Sequence, residues 1–334
     1  MKNLRFESAI NPYGCSPRAA EAMQKAAAAR DYRFYGEPAA GSLREKLAGH
    51  FALSPTNFVV FNGSGDALAA IYLLQLVMKK GTLIAPYPSY ERFVDGGRRF
   101  AADLVEVPLE KETWQLPLPQ LIEETRNKKA TLGMISSPNN PTGNILLDET
   151  GLATLLEETP DCLWIIDEAY AEYPGVTFAR MVNSFSNLVI LKTFSKAYGM
   201  AGLRVGYVVT NSALAGHLAK IRLPWNVNSM SLIAAQAALE DQEYLQTVRE
   251  NIIADREKFY EELSAFSSFK VYPSDANFFL IKVSDEKIKG LPEYLSARGI
   301  HVRTRPDMPE YIRVTSLLPD DNEILLGAFK EFGL

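Results

Sequence analysis

The residues with the clearest chemical potential lie between Thr193 and Gly206, in the string TFSKAYGMAGLRVG. Lys196 follows an apolar run and is surrounded by hydroxyls and glycines, a setting in which a partly desolvated amine can form an imine. Taken alone, such a lysine reads as a solvated loop residue. Arg204, eight residues further on, changes that reading, because a guanidinium grips a phosphate through two parallel hydrogen bonds. Gly199, Gly202 and Gly206 around it permit close backbone approach. An imine-forming lysine beside a phosphate-binding arginine points to a cofactor carrying both an aldehyde and a phosphate, namely pyridoxal phosphate.

Two further strings sit at the ends of apolar runs. SSPNNPTGN (Ser136–Asn144) follows Leu132–Ile135 and, on its own, is a turn built from Asn, Pro and Gly. Asp167-Glu168-Ala169-Tyr170 follows Leu163–Ile166 and reads either as a helix cap or as an acid at the sheet edge where α/β proteins bind ligands. A carboxylate there keeps a pyridine nitrogen protonated and makes the ring an electron sink.

The elements that must position these groups follow from the hydrophobic pattern. Phe58–Phe61, Thr82–Ala85, Leu132–Ile135, Leu163–Ile166, Leu188–Leu191 and Val205–Val209 read as buried strands. Helical patterns over Asp66–Met78, Pro117–Arg126 and Asp148–Glu158 separate them, which predicts βαβ crossovers and a mainly parallel sheet sandwiched by helices. After Asn228 the texture changes to one long helical stretch reaching Phe266, without Pro or Gly. Strands at Asn277–Val283 and Tyr311–Thr315 and helices at Asp285–Ala297 and Asp320–Phe332 then form an α+β unit. The N-terminal helix near Pro17–Arg30 is expected to complete it. The expected division is a large cofactor-binding domain over 31–230 and a small domain built from 1–30 and 231–334.

Together these strings resemble the fold type I pyridoxal-phosphate aminotransferases, and within them the histidinol-phosphate aminotransferase branch. The likeness runs from Asn11 to about Phe332 and includes NPYG, FYGEP, NGSGD, SPNNPTGN, DEAY, LPWNVN, PSDANF and YIRVT in matching order. It implies that Lys196 holds the cofactor covalently and shuttles the substrate proton. Asp167 would pair with the pyridinium nitrogen, while Asn140 and Tyr170 would donate to the phenolate oxygen. Thr193, Ser195 and Arg204 would bind the phosphate, with the backbone N–H groups of Gly65 and Asp66 at a helix start. Tyr87 in APYPSY would stack on the ring, although a lone tyrosine is as often core packing. Tyr35 would reach the cofactor phosphate of a neighbouring subunit, making the active unit a homodimer with composite sites. Arg313 would grip the substrate anion, helped by Tyr13 and Arg303; the ordinary alternative for Arg303 is a surface ion pair.

The resemblance implies transfer of an amino group between L-histidinol phosphate and 2-oxoglutarate. Alternatives on the same scaffold are aromatic amino donors, a decarboxylase acting on threonine phosphate, whose family the segments ESAINPYG and LPWNVN are also similar to, and a non-catalytic regulator. Three departures from the branch bear on substrate contacts. Only ten residues precede NPYG, where a longer arm is usual. The phosphate loop lacks its final acid, with Ala67 in place, and Ser316 stands where glycine is usual.

Composition limits the classes. The 334 residues carry a net charge of −5 and are 47% hydrophobic, globular proportions that argue against a general nucleic-acid binder. No apolar run reaches the roughly 20 residues of a membrane helix. Two cysteines, Cys15 and Cys162, make no disulfide framework, and a cytoplasmic setting is expected. His50, His217 and His301 lack metal-ligand spacing, so no metal site is expected.

Overall fold

A computed structural model describes residues 3–29, 32–78, 80–101, 103–284 and 287–334. In chain order come β1 (Leu4–Arg5), α1 (Pro17–Ala29), α2 (Gly41–Phe51), β2 (Phe58–Phe61) and α3 (Ser64–Tyr72). Next are β3 (Thr82–Tyr87), α4 (Glu91–Phe100), β4 (Asp103–Pro108), α5 (Leu118–Asn127), β5 (Leu132–Ser136) and α6 (Glu149–Glu158). They are followed by β6 (Leu163–Asp167), β7 (Leu188–Thr193), β8 (Gly206–Thr210), α7 (Ser212–Ile221), α8 (Ser229–Glu240) and α9 (Gln242–Ser264). The last elements are β9 (Phe269–Val271), β10 (Phe278–Val283), α10 (Leu291–Ser296), β11 (Ile300–His301), β12 (Arg303–Thr304), β13 (Tyr311–Thr315) and α11 (Pro319–Phe332).

The larger sheet has the order β2-β8-β7-β6-β5-β3-β4. Its centre, β3 to β7, is parallel, and β8 runs antiparallel to both β7 and β2. Strands β5, β6 and β7 are buried along their whole length, as helices on both faces require. One core on one face holds Trp164, Ile166, Ile190 and Tyr207, and the other face holds Leu68, Ile71, Met134 and Ile165. The register sets Ser136 opposite Asp167, so the carboxyl ends of neighbouring strands present polar residues side by side.

The smaller sheet, β12-β13-β10-β9, is antiparallel, and β1 pairs with β11 in a separate parallel ladder. Leu4 and Phe6 join its core with Phe279, Ile312 and Phe329. Ala19 of α1, by contrast, joins the larger core, because α1 packs on α8. The N-terminal helix expected with the small domain therefore packs on the large-sheet side, and the chain segment before it packs on the smaller. The helix end expected at Arg30 and the helix start expected at Asp285 lie outside the described residues; of the second helix, Leu291–Ser296 is present.

The long helical stretch after Asn228 divides into α8 and α9 at Asp241, whose backbone leaves the helical region (φ −96°, ψ 60°). Asp241 there accepts the Ser16 hydroxyl at 2.5 Å, tying the break to the residue before α1.

Candidate active site

The carboxyl ends of β5, β6 and β7 open into a cavity of about 690 Å³, lined among others by Ser64, Gly65, Asn140, Asp167, Tyr170, Thr193, Ser195, Lys196, Arg204, Arg303 and Arg313. This is the edge at which open α/β sheets bind ligands. Among the described residues no cluster of His, Cys, Asp or Glu could hold a metal ion, and no helix is long and apolar enough to cross a membrane.

Lys196 stands on the tight loop after β7. Phe194 anchors that loop by burying its ring 4.7 Å from Tyr198 and 5.7 Å from Tyr207. Its N–H donates to Val205 O and its O accepts from Met200, each at 3.0 Å. The Lys196 ammonium donates to Ser8 O at 3.1 Å and lies 5.5 Å from the Tyr170 ring centre. Burial, with the Arg313 charge nearby, lowers its pKa to about 8.

Asp167, at the end of β6, accepts the Ala169 N–H at 3.0 Å. Burial raises its carboxyl to about 7, against the pull of that hydrogen bond and of Lys196. Behind it, Lys192 is buried between Glu168 (2.9 Å) and Glu172 (3.0 Å), pinning β7 to the loop that carries Asp167 and Tyr170. Burial pushes the Tyr170 hydroxyl up to about 12. Its oxygen lies 3.5 Å from Asn140 Nδ2, and Asn140 Oδ1 accepts Arg313 Nη1 at 2.7 Å. Arg313 Nη2 donates to Glu7 O, and its buried Nε has no partner among the described residues.

At the other end, Arg204 takes the left-handed region (φ +56°) and donates to Ala201 O at 3.0 Å. Gly63 is obligatory there, since a Cβ would stand 2.3 Å from Arg204 Nη2 and its φ is +86°. Gly206 must likewise lack a side chain, because a Cβ would meet Ser64 N at 2.4 Å. A Cβ on Gly65 would meet nothing within 4 Å, so the start of α3 faces open space. Thr193 Oγ1 donates to Ser195 Oγ at 2.9 Å and accepts the Ser195 N–H, which presents both hydroxyls to one side.

Four expected residues lie elsewhere. Tyr87 does not line the cavity; its hydroxyl donates to Asp307 O at 3.2 Å, because β3 ends there and the chain turns before α4. Tyr90, three residues on, lines the cavity in its place, set by an edge contact with Phe93 at 5.4 Å. Asp66 is turned away: its N–H closes the first turn on Gly63 O, and its carboxylate accepts from Asn62 N and Asn226 Nδ2. Ser64, unassigned from sequence, takes its place at the helix start. Tyr13 donates to Asp255 at 2.5 Å, and burial and that carboxylate push its hydroxyl up to about 12. Tyr35 is 81% exposed and stacks near Trp225 at 5.1 Å, outside its own chain's cavity.

Arg303 lines the rim and pairs with Glu91. Beside it is Arg305, which sequence reasoning passed over; it is buried, with bonds to Ser89 O (2.7 Å) and to both oxygens of Asp307. Arg92 and Arg99 of α4 extend the basic rim outward. The signal for Arg305 was its place just past β12, two residues after Arg303, a spacing that puts both arginines on one face of an extended chain.

Residues 2–329 match the family model described as aminotransferase class I and II. The histidinol-phosphate aminotransferase of Caldanaerobacter subterraneus subsp. tengcongensis is 34% identical over 300 residues, covering 89% of this chain and 84% of that protein. That of Roseiflexus castenholzii is 33% identical, covering 98% of this chain and 89% of that protein. Among solved structures, histidinol-phosphate aminotransferase from Sinorhizobium meliloti in complex with pyridoxal-5′-phosphate superposes with a TM-score of 0.88. It is 25% identical over 99% of this chain and 90% of that one.

Proposed function

The chain belongs to the class I and II aminotransferases, and from that membership we propose that it transfers the amino group of L-histidinol phosphate to 2-oxoglutarate. The observation that carries the reading is the convergence of Lys196, Asp167, Asn140, Tyr170, Arg204 and Arg313 on one cavity. The names of several relatives, each a histidinol-phosphate aminotransferase, support the choice of donor.

Pyridoxal 5′-phosphate fits these residues. The buried Asp167 acid, raised to about 7, is the partner a cationic ring nitrogen needs. The open space over Gly65, between Arg204 and the Thr193–Ser195 hydroxyls, suits a phosphate at a helix start. When bound, the cofactor supplies an electrophilic carbon for the amine and a ring that withdraws electrons from the substrate Cα.

The chain's own groups do the rest. Lys196, whose pKa burial and Arg313 lower to about 8, is poised to serve as a base near neutral pH. It would take the proton from the substrate Cα and deliver it to the cofactor carbon on the far side of the amine nitrogen. Asp167 holds the proton on the ring nitrogen. Asn140 Nδ2 and the Tyr170 hydroxyl, side by side, hold the ring oxygen. Tyr90 covers the ring face. Ser64, Gly65, Thr193, Ser195 and Arg204 hold the phosphate. Arg313 receives the substrate anion through the donors that Asn140 and Glu7 leave available, Nε among them.

The same reading makes the active unit a homodimer, with Tyr35 of one copy reaching the cofactor phosphate of the other. Tyr32, Phe34, Tyr35, Leu223 and Trp225 are exposed apolar side chains, with Tyr35 and Trp225 in ring contact, and they support it. The two free thiols, Cys15 and Cys162, support a cytoplasmic setting.

The test is a survey of amino donors with 2-oxoglutarate, read as glutamate formed. Histidinol phosphate is expected to give the highest kcat/KM, with aromatic amino acids below it. Carbon dioxide release from O-phosphothreonine without glutamate would replace transamination with decarboxylation.

A further inference from the structure

The segment before α1 is a strap that runs from the smaller sheet into the cavity. β1 pairs with β11, and Phe6 is fully buried in the smaller core. Thr315, at the end of β13, donates to Phe6 O through both N–H (2.9 Å) and Oγ1 (2.6 Å). Its Oγ1 also accepts the Ala9 N–H at 3.0 Å. Between these anchors two consecutive carbonyls turn onto two cations of the site, Glu7 O onto Arg313 Nη2 and Ser8 O onto Lys196 Nζ.

Beyond Ala9 the strap is fastened to the lysine's own loop. Asn277 Nδ2 donates to Ile10 O at 2.8 Å. The buried Asn11 donates through Nδ2 to Ala197 O (2.8 Å), the carbonyl of the residue following Lys196, and to Gly14 O (3.1 Å). Its Oδ1 accepts the Tyr13 N–H at 2.8 Å, so each polar atom of the amide is used. The fit is close: a Cβ on Gly199 would stand 2.2 Å from Gly14 O.

We propose that Asn11 is a positioning residue for Lys196: by clamping the strap to the lysine's loop it keeps the Ser8 carbonyl where the uncoupled amine rests. This builds on the reading of Lys196 as the cofactor lysine. Among the described residues, Ser8 O is the hydrogen-bond acceptor of Lys196 Nζ. Burial, Arg313 and Arg204 lower the pKa of that amine and Asp167 raises it; a carbonyl oxygen facing an ammonium adds to the side of the charged form. The amine released during each turnover therefore returns to a defined place, set by the strap. The strap also touches Arg313, so one short segment spans the anion grip and the proton-transfer group.

The experiment is competitive acetylation of the full chain, stripped of cofactor, with trace acetic anhydride across about pH 6 to 11. The label at Lys196 is read by peptide mass spectrometry. The wild-type midpoint is expected near 8. In Asn11→Ala it is expected about one pH unit lower, since the ammonium loses its acceptor. In the holoenzyme the same variant is expected to lose about tenfold in kcat with KM kept within about twofold. An Asn11→Ala midpoint equal to wild type overturns the proposal whatever happens to kcat, because the strap would then support the fold and not the amine. If Asn11→Ala has no cooperative melt, Gly199→Ala, which pushes the strap away from the opposite side, is read with the same two outcomes. The assay needs no turnover, so a wrong cofactor assignment for Lys196 and a wrong role for Asn11 give different results.

Discussion

The floor of the cavity and its rim carry charge in opposite ways. At the floor, Asp167, Tyr170, Asn140 and Arg313 are buried, and their groups are strained electrostatically: an acid pushed up, an arginine Nε without a partner among the described residues. Lys196 above them is pushed down. At the rim, Arg303 already pairs with Glu91, and Arg305 with Asp307. A buried charge without its partner is costly, whereas an exposed pair contributes little either way. The floor is thus built around groups that arrive with a ligand, and the rim is largely satisfied by itself.

Substitutions can break or sharpen that contrast. The largest effect is expected for Arg313→Ala, which removes the buried anion grip. kcat/KM for histidinol phosphate should fall by about 10²–10³, while cofactor absorbance is retained. Wild-type kinetics in that variant would mean the anion docks at the rim. Tyr90→Leu should weaken cofactor binding by about tenfold, and Tyr87→Phe should leave it unchanged, as read by cofactor titration. The reverse order would return the stacking role to Tyr87.

A third test uses pH. The folded Asp167 acid lies near 7, above its ordinary 3.8. Its contribution to stability in the cofactor-free chain is therefore full below about pH 4 and is lost as pH rises through 7. Asp167→Asn should raise the cofactor-free Tm by roughly 2–4 °C at pH 8 and leave it unchanged at pH 4. Equal Tm changes at both values would contradict the burial argument. The smallest effect is expected for Arg303→Gln, which should change kcat/KM by less than about fivefold and lose even that in high salt. A much larger, salt-resistant loss would move Arg303 from rim to floor.

The floor was legible in the sequence for the reason it is strained. Its chemistry demands particular residue types at fixed spacing from strand ends, and the apolar runs locate those ends. The rim and the second-choice positions were less legible. Tyr87 and Tyr90 stand in one short string, and which ring enters the cavity depends on where β3 stops. Asp66 and Ser64 likewise differ by half a helical turn at a helix start. Residues 91–100 were not expected as a helix, since Gly96 and Gly97 lower helix propensity; they are there because a Cβ at Gly96 would stand 2.2 Å from the Tyr72 ring. β4 is an edge strand of mixed polarity and carries no buried run. The break at Asp241 is set by a contact with Ser16 more than 200 residues away, which no local pattern encodes.

The central claim is that Lys196 is the residue joined to the cofactor. Borohydride reduction of the purified protein with pyridoxal 5′-phosphate, followed by peptide mapping, tests it directly. The account predicts the reduced cofactor on the peptide that carries Lys196 and its absence from Lys196→Ala. Cofactor fixed to Lys192 or to any other lysine, or to none, would contradict it.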